Sequence, residues 1–367
     1  MDTTVPPPVA DPAIIGVGLT AFGKDLGMSA LELQAAAGFS ALDDAGVPAA
    51  AVDTVIAGYA TTVQHLMPAN LLAEFMGIRP SRAFGMSLGG ATGLGMVAEA
   101  ARLVRRGEAG TVLVVGGENR ASGQSRDSAI STLAQVGHAT HEVALGANIP
   151  AYYALLASEY LHRTGATRED LAHLAVQMRA HAGRRPGAHF SKPITVEDVL
   201  AAPAIAEPLG LLDCCPVSDG GAAFVVSGRP DGRGVRVSGI GGSNRHQHVS
   251  EADFADFGAG ESSRQALAEA GLLIDDVDVF GIYDSFTVTL AILLEEIGIA
   301  APGAAGRMAR EGAFSAAGRY PLNLHGGLLS YGPSGVAGGM AHLVEAVLQI
   351  RGEAGARQLG RRPRRGL

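Results

Sequence analysis

The sequence contains no tryptophan, only two cysteines and few aromatic residues, which make up 5% of its 367 positions. Two cysteines cannot build the network of bridges that supports a small secreted domain, so a disulfide scaffold is excluded. The hydrophobic content of 47% also excludes a disordered chain. With 51 glycines and so few aromatic rings, the core must consist mainly of small and aliphatic side chains, which favours closely packed α/β layers.

Positive charge is also scarce, because the chain carries a formal net charge of -8. Nucleic-acid binding needs a concentrated basic surface, so no nucleic-acid partner is expected. The one basic cluster ends in the tail at 361–367, which is interpreted as a solvated end. No apolar run is long enough to span a bilayer, and residues 1–12 are interpreted as a flexible leader without a secretion signal. These features predict a cytoplasmic protein with no membrane partner.

The chain contains a long-period internal repeat. Three segments of the first half recur in the same order in the second half. The matched segments are Gly16–Gly18 with Gly239–Gly241, Ala41–Gly46 with Ala266–Gly271, and Arg106–Gly110 with Arg351–Gly355. Repeats in register over this distance indicate two halves with one architecture. We expect an N-terminal half at 13–228, with an inserted loop domain at about 120–208, and a C-terminal half at 229–360.

Each half alternates short apolar runs with alanine- and leucine-rich helical patterns, which predicts strands and helices in turn. This alternation favours a mostly parallel sheet covered on both faces. In the first half the predicted elements are Ala13–Gly18, Ser29–Ala45, Thr54–Tyr59, Gly89–Arg106 and Thr111–Gly116. The run Gly221–Ser227 is predicted to be the strand that returns the chain to the first half's sheet.

Three further segments carry a resemblance to a known family. They are Lys192–Leu200 (KPITVEDVL), Leu211–Ala223 (LLDCCPVSDGGAA) and His325–Ser330 (HGGLLS). With the two similar halves, they resemble the thiolase superfamily, and within it the thiolase-like lipid-transfer proteins. The resemblance implies an α/β thiolase fold, in which two similar βαβαβ halves form a five-layered αβαβα core with an inserted loop domain. It also places the two adjacent cysteines, Cys214 and Cys215, in a structural segment.

The sequence departs from a working thiolase at its catalytic positions. The turn that carries the thiolase nucleophile reads Gly89-Gly90-Ala91-Thr92-Gly93 here, so Gly90 stands in the place of the cysteine. Without a thiol or hydroxyl, no acyl-enzyme can form at that position. The catalytic histidine of the second half is missing from Tyr331-Gly332-Pro333-Ser334, and the tail contains no second cysteine. Thiolase chemistry is therefore not expected.

Two of the seven tyrosines fall on the catalytic loops that the resemblance implies. Tyr283 belongs to Tyr283-Asp284-Ser285-Phe286, and Tyr331 lies in a glycine-flanked loop that we expect to be exposed. A phenol can exchange a proton with an alcohol, although its ordinary pKa of about 10 calls for a lowered pKa or a concerted transfer in a base. Tyr331 is predicted to be the base and Tyr283 its partner or the proton donor. Alternatively, both rings fill the space left by the lost catalytic groups.

His325 is the third predicted catalytic residue, able to polarise an oxygen or orient a tyrosine. Alternatively, the backbone of the loop satisfies the hydrogen-bonding groups of its ring. Gly90, Gly327, Asp284 and Ser330 are predicted to contact the substrate, Asp284 as an orienting or structural group, because alternation turns it away from Tyr283. No metal site is predicted, since the histidines of the insertion have no ligand partners at the required spacing. No cofactor is expected beyond the CoA portion of a substrate.

With Gly90 and the two tyrosines in place of the catalytic cysteine and histidine, the sequence resembles the steroid side-chain-cleaving aldolases of the lipid-transfer group. That resemblance implies a retro-aldol lyase acting on a β-hydroxyacyl-CoA, such as a 17-hydroxy steroid with a CoA-activated side chain, and releasing propionyl-CoA. It also implies a homodimer through the thiolase core and a companion with an OB fold and a zinc ribbon, giving a heterotetramer. An acyltransferase using Ser87 or Cys215, a non-catalytic acyl-CoA or lipid-binding subunit, and a dinucleotide-binding protein remain alternatives.

Overall fold

A computed structural model describes residues 11–63, 65–228, 232–254 and 256–367. The predicted leader at 1–12 lies almost wholly outside these residues. The strands are β1 Ala13–Leu19, β2 Thr54–Gly58, β3 Arg82–Met86, β4 Thr111–Asn119, β5 Ala204–Ala206, β6 Leu209–Gly210, β7 Asp219–Ser227 and β8 Val235–Arg236. The helices are α1 Ala30–Ala45, α2 Pro68–Phe75, α3 Thr92–Arg105, α4 Arg126–Ala134, α5 Ile149–Thr164, α6 Arg168–Ala182, α7 Val196–Ala201, α8 Ala259–Ala270, α9 Thr287–Glu296, α10 Ala305–Arg310, α11 Gly327–Ser330 and α12 Val336–Arg351.

The central sheet of the first half has six strands in the order β3-β2-β4-β7-β1-β8. Only the pairings of β2 with β3 and with β4 are parallel, whereas β7 runs antiparallel to both β4 and β1. The expectation of a mostly parallel sheet was therefore wrong. The physical reason is that β7, the predicted return strand, enters between β1 and β4 after the insertion and reverses the direction at the centre.

The internal repeat has a structural basis in the close approach of each half's first helix to a glycine segment. A Cβ atom on Gly16 would overlap the carbonyl oxygen of Ala41 in α1. A Cβ atom on Gly239 would overlap the carbonyl oxygen of Ala266 in α8 in the same way. Only glycine allows this contact, which explains why these glycines and alanines recur together in the sequence.

The two halves also hold each other through reciprocal ion pairs. Arg351, at the end of α12, places its Nη1 2.7 Å from Oδ2 of Asp44 in α1. Arg105, at the end of α3, places its Nη1 2.7 Å from Oε1 of Glu269 in α8. Each arginine therefore binds the first helix of the opposite half, and each lies in the last turn of its helix, where the dipole favours a cation.

Helices α5 and α6 of the insertion pack on the second half. Leu174 and Met178 of α6 share a buried core with Phe280, Leu290 and Phe314 of the second half. A separate core lies between the sheet and the helices α3 and α12. The domain boundaries chosen from the sequence stay a prediction, since these cores cross several of them.

The C-terminal tail keeps its arginine side chains exposed, as a solvated end would, but its backbone is bound to the protein. The Arg364 and Arg365 amides donate to Oδ2 of Asp278. The Gly281 amide donates to the carbonyl of Leu367 at 2.7 Å, and the Leu367 amide donates to Val279 at 3.1 Å. A short backbone ladder thus satisfies polar groups that a free tail would leave to water.

Among the described helices, none combines the length and the apolar character that crossing a membrane requires.

Candidate active site

The turn at the start of α3 presents backbone rather than a nucleophile. Gly89 has a φ of 58°, and Gly90 follows it in an exposed position. Thr92 fixes this turn, because its hydroxyl donates to the Gly89 carbonyl at 2.7 Å and accepts from the Leu88 amide at 2.8 Å. The turn is therefore ordered by its own hydrogen bonds and leaves open the face where a thiolase would carry its cysteine.

The phenol of Tyr283 occupies the space in front of Gly90. A Cβ atom on Gly90 would lie 2.9 Å from both Cζ and the hydroxyl oxygen of Tyr283. Gly339, in the first turn of α12, closes the same site, since a Cβ there would lie 3.1 Å from the Gly90 carbonyl oxygen. Any side chain at position 90 would collide with the phenol, so Gly90 and Tyr283 form one structural unit.

The Tyr283 hydroxyl has no hydrogen-bond partner in the part of the chain that the structure describes. Burial raises the pKa of Tyr283, and the nearby phenols and thiol of Tyr153, Cys215 and Tyr59 raise it further, whereas Arg120 lowers it. A phenol with a raised pKa remains protonated in the neutral range and is a proton donor. The sequence pattern placed Tyr283 at a catalytic loop, and the structure places it beside Gly90.

Tyr331 differs from the expectation of an exposed loop residue. Its side chain is 1% exposed, and its hydroxyl donates to the Thr20 carbonyl at 2.9 Å. The ring packs 4.7 Å from the Phe22 ring and 5.5 Å from the Arg185 guanidinium carbon. Burial raises the pKa of Tyr331 to about 12, although Arg185 opposes the rise. The premise of exposure was wrong because residues 20–22 and 185 cover the loop; the predicted base role stays a prediction.

His325 is buried beside Tyr331 and His342. Its ring centroid lies 5.5 Å from that of Tyr331 and 4.9 Å from that of His342, in edge-on arrangements. Burial lowers the pKa of His325 well below its usual value, so the imidazole is neutral. Neither ring nitrogen has a hydrogen-bond partner in the described part of the chain, so the alternative of a histidine satisfied by loop backbone is wrong. Its catalytic role stays a prediction.

Asp284 binds the loop that contains Gly327. The Asp284 carboxylate is fully buried, and it accepts the Leu328 amide at 2.7 Å and the Leu329 amide at 3.4 Å. A Cβ atom on Gly327 would overlap this carboxylate. Burial raises the pKa of Asp284 well above its usual value. Ser330, also buried, accepts a hydrogen bond from Arg179 Nε at 2.9 Å.

Gly327, Asp284 and Ser330 thus make their contacts with the protein itself. Asp284 and Tyr283 point to different neighbours, as the alternation along the chain predicted. The expected substrate contacts of these residues stay a prediction. In the structure, each of them contacts a neighbouring residue and helps to hold the loop in place.

The two cysteines lie in the wall behind Tyr283 and are poor nucleophiles. The Cys215 amide donates to the Ser285 carbonyl at 2.9 Å, which fixes the cysteine pair against the segment that contains Tyr283. Burial raises the pKa of Cys214 to about 12, and burial together with Asp284 raises the pKa of Cys215. A thiol in this state holds its proton at neutral pH and does not attack an acyl group.

Arg120 is a residue of this site that the sequence did not reveal. It follows β4 directly, at the predicted start of the insertion. In the structure its Nε donates to the buried Glu118 carboxylate, and its charge affects the pKa of Tyr59, Cys215 and Tyr283. The signal in the sequence was a charged residue at the end of a central strand, where side chains enter the crevice of an α/β sheet.

No group of three or more histidine, cysteine or acidic side chains that could hold a metal occurs within 11–63, 65–228, 232–254 and 256–367. The expectation of no metal and no bound cofactor stays a prediction. A cavity of about 530 Å³ does occur beside α2, lined by residues such as Asn70 and Arg79, but it shares no residue with the Gly90 site.

A repeated α/β architecture with a glycine-rich turn at the head of α3 is that of the thiolases, and comparison with known families agrees. Residues 12–229 match the family described as "Thiolase, N-terminal domain", and residues 241–365 match "Thiolase C-terminal domain-like". The chain belongs to the thiolase family, so the expected fold class and the resemblance are confirmed.

Three curated relatives cover nearly the whole chain. The "Steroid side-chain-cleaving aldolase" of Thermomonospora curvata is 34% identical, over 93% of this chain and 90% of that protein. The "17-hydroxy-3-oxo-4-pregnene-20-carboxyl-CoA lyase" of Mycobacterium tuberculosis is 33% identical, over 93% of this chain and 91% of that protein. The "Acetyl-CoA acetyltransferase" of Methanothermobacter thermautotrophicus is 29% identical, over 95% and 93%.

A solved structure gives the same picture. The "Ltp2-ChsH2(DUF35) aldolase" aligns with a TM-score of 0.81 and 33% identity, covering 95% of this chain and 92% of the solved one. The chain is thus similar to named carbon-carbon lyases and to a named acetyltransferase, and the geometry at Gly90 decides between these chemistries.

Proposed function

We propose that this protein is a retro-aldol lyase that cleaves a β-hydroxyacyl-CoA into a ketone and a short acyl-CoA, without a covalent acyl-enzyme. The substrate class is a 17-hydroxy steroid whose side chain is a CoA thioester, and the acyl product is propionyl-CoA. Similarity to a steroid side-chain-cleaving aldolase and to a pregnene-carboxyl-CoA lyase supports this substrate class.

The observation that carries the proposal is the pairing of Gly90 with Tyr283. Claisen chemistry in a thiolase needs a nucleophile at the head of α3. Here the position holds a glycine, and a phenol stands 2.9 Å from where a Cβ would be. A site with a proton donor in place of a nucleophile suits a cleavage that moves protons and never acylates the enzyme.

The reaction balances without any co-reactant. A base removes the proton of the tertiary hydroxyl, the carbinol carbon becomes a ketone, and the bond to the α-carbon of the thioester breaks. Its electron pair forms the enolate of the acyl-CoA, which then takes up one proton at carbon. One proton is removed and one is delivered, so the net proton change is zero.

Tyr283 is the proton donor in this proposal, because its raised pKa keeps the phenol protonated beside the site. Tyr331 remains our candidate for the base, which requires its hydroxyl to exchange Thr20 for the substrate alcohol and to move the proton in a concerted step. His325 lies next to Tyr331 and orients its ring by the edge-on contact.

For partners we propose a homodimer and a companion protein with an OB fold and a zinc ribbon. The edge strand β3 and the turn that follows it expose Leu88, which is 56% accessible, next to Leu94 of α3 at 49%. Apolar side chains at an open sheet edge suit a subunit contact. The solved structure whose name includes a DUF35 component supports the companion protein. We also propose that the protein is located in the cytoplasm.

The test is to incubate the protein, copurified from its native host with any companion, with 17-hydroxy-3-oxo-4-pregnene-20-carboxyl-CoA. We expect the 17-ketone and propionyl-CoA in equal amounts by liquid chromatography and mass spectrometry. Intact-mass analysis of the quenched protein should show no acyl adduct.

Two results would contradict the proposal. An acyl adduct on Ser87 or Cys215, or thiolysis of a 3-oxoacyl-CoA, would favour an acyltransferase like the 29% identical relative. Stoichiometric binding of the steroid thioester with no product, in the presence of the companion, would indicate a binding subunit. Both measurements use the same preparation, so the outcomes are directly comparable.

A further inference from the structure

Arg120 is held in the site by a buried carboxylate. Its Nε donates to Glu118, whose side chain is 1% exposed, while the Arg120 side chain retains 15% exposure. The same carboxylate accepts the amide and the hydroxyl of Thr61, on the loop after β2. A buried carboxylate shared between two loops fixes the guanidinium in one orientation.

The chain is fixed on the other side of Arg120 as well. Asp219, fully buried at the start of β7, accepts the Ala121 amide at 2.8 Å and the Ser122 amide at 3.1 Å. Its second oxygen accepts the Ser122 hydroxyl at 2.6 Å. Arg120 therefore projects from a segment anchored at residues 118 and 122, which is how a pre-organised charged group is built.

Besides Glu118, Arg120 has a second side-chain partner in the stretches of chain that the structure covers, the Tyr59 hydroxyl, and this hydrogen bond opposes the rise that burial causes in the pKa of Tyr59. An arginine has five N–H donors, and the Glu118 contact engages only Nε. Since the side chain is partly exposed, a ligand can reach the guanidinium and bind the N–H donors that Glu118 and Tyr59 leave over. This arrangement differs from that of Arg351 and Arg357, which are bound to carboxylates through their terminal groups.

The Glu118–Arg120 pair also adjoins the Gly90 site through the turn before α12. A Cβ atom on Gly335 would lie 2.8 Å from Cδ of Glu118, and one turn later Gly339 lies against Gly90 and the Tyr283 ring. Glu118 also accepts the Ser334 hydroxyl at its backbone carbonyl, at 2.6 Å. Strand β4 and helix α12 thus bring the guanidinium and the phenol to the same crevice.

We propose that Arg120 binds the negative charge that develops on the thioester oxygen, with Glu118 as its positioning residue. This rests on the proposed lyase function and deepens it. As the carbon-carbon bond breaks, its electron pair passes into the enolate, and the N–H donors of Arg120 that Glu118 and Tyr59 leave over stabilise the enolate oxygen. A guanidinium suits this task, because it stays charged at all working pH values and donates in a fixed plane.

The first experiment measures kcat and KM of Arg120→Gln on the steroid thioester, using the protein with its companion. We expect kcat to fall about 100-fold or more, the loss typical for one oxyanion donor, with KM changed much less. Arg120→Lys should recover part of the loss, because it restores the positive charge but not the planar set of N–H donors. Arg319→Gln is the matched control, since Arg319 is half exposed and pairs with Asp275 away from this site.

The second experiment does not depend on turnover. Binding of S-(carboxymethyl)-CoA, an anionic mimic of the enolate, is compared with binding of neutral S-ethyl-CoA by calorimetry. Arg120→Gln and Glu118→Gln should each weaken binding of the carboxylate about tenfold or more and leave the neutral thioether unchanged, as expected for a lost charge-assisted hydrogen bond.

The two experiments separate the two proposals. Arg120-dependent binding of the mimic without cleavage of the steroid thioester would refute the substrate but support the anion site. Cleavage by the wild type with full activity in Arg120→Gln, or equal loss of both ligands, would overturn the role of Arg120. Thermal unfolding of each variant shows whether a loss reflects unfolding instead.

Discussion

Tyr283 and Tyr331 lie on the two loops where thiolases carry catalytic groups, yet their surroundings differ. Tyr331 is covered on all sides, and its hydroxyl is bonded to the Thr20 carbonyl. Tyr283 is half-buried, and its hydroxyl stands free in front of Gly90. The comparison teaches that the Tyr283 phenol can donate a proton as it stands, whereas the Tyr331 phenol must first give up its hydrogen bond to Thr20.

The comparison also explains the two pKa directions. Both values rise because burial disfavours the phenolate, and in each case an arginine opposes the rise, Arg120 for Tyr283 and Arg185 for Tyr331. Neither phenol is ionised near neutral pH, so neither acts as a free phenolate base. A reaction that uses them must transfer the proton as the bond breaks.

The largest effect is expected from Tyr283→Phe. Removing the hydroxyl deletes the proton donor, so kcat should fall about 10²- to 10⁴-fold, the range of general acid–base catalysis. Stability should hardly change, because no described residue bonds to that hydroxyl. The measurement is single-turnover cleavage together with thermal unfolding. Tyr320→Phe serves as control. Normal turnover by the Tyr283→Phe enzyme would show that Tyr283 is not the proton donor.

A smaller loss is expected from Gly90→Ala. The new methyl would meet the Tyr283 phenol at 2.9 Å and displace it, since the end of the ring can move more easily than the backbone. A displacement of about 1 Å can cost up to 10²-fold in rate, so we expect a ten- to hundredfold fall in kcat.

The control for that change is Gly360→Ala, where a Cβ would enter open space. Gly90→Cys should behave like Gly90→Ala and gain no thiolase activity, because its thiol meets the same phenol. Formation of an acyl adduct on a Gly90→Cys protein would show that the site retains thiolase geometry after all.

Tyr331→Phe is expected to act on stability first. It leaves the partly buried Thr20 carbonyl without its donor, which should lower the free energy of unfolding by about 0.5–1.5 kcal/mol. Chemical denaturation measures this loss. Turnover of the same sample then tests the base role: a rate unchanged after correction for the folded fraction removes Tyr331 from the chemistry, whereas a hundredfold fall retains it.

Much of the first half's sheet and the Gly90 turn could be predicted from local pattern. The predicted strand at Ala13–Gly18 and the helix ending at Ala45 agree closely with β1 and α1, because apolar runs, the Ser29 cap and the left-handed Gly46 are local signals. Strand β3 was missed, since an edge strand with partly exposed residues lacks an apolar run. The place of β7 between β1 and β4 depends on long-range pairing that no local pattern records.

The site residues divide in the same way. Glycines around Tyr331 suggested an exposed loop, yet burial is decided by Thr20 and Phe22, about 310 positions away in the chain. Arg120 falls at the predicted start of the insertion, and its buried partner Glu118 lies beyond the predicted strand end at Gly116, so no local pattern connects the two residues. The sequence therefore shows which residue stands at each position of the site. The exposure of its side chain and its hydrogen-bond partners follow only from the folded chain.

The smallest effect is expected from Cys215→Ala, and it tests the wall behind Tyr283. The thiol is inert at neutral pH because burial and Asp284 raise its pKa. Its loss should leave kcat within about twofold, with at most a small packing cost from the lost sulfur. Iodoacetamide labelling of the wild type should likewise leave Cys215 unmodified in the folded state. A large loss of turnover in Cys215→Ala, together with rapid labelling, would shift the reactive group from the phenol to the thiol and favour an acyltransferase.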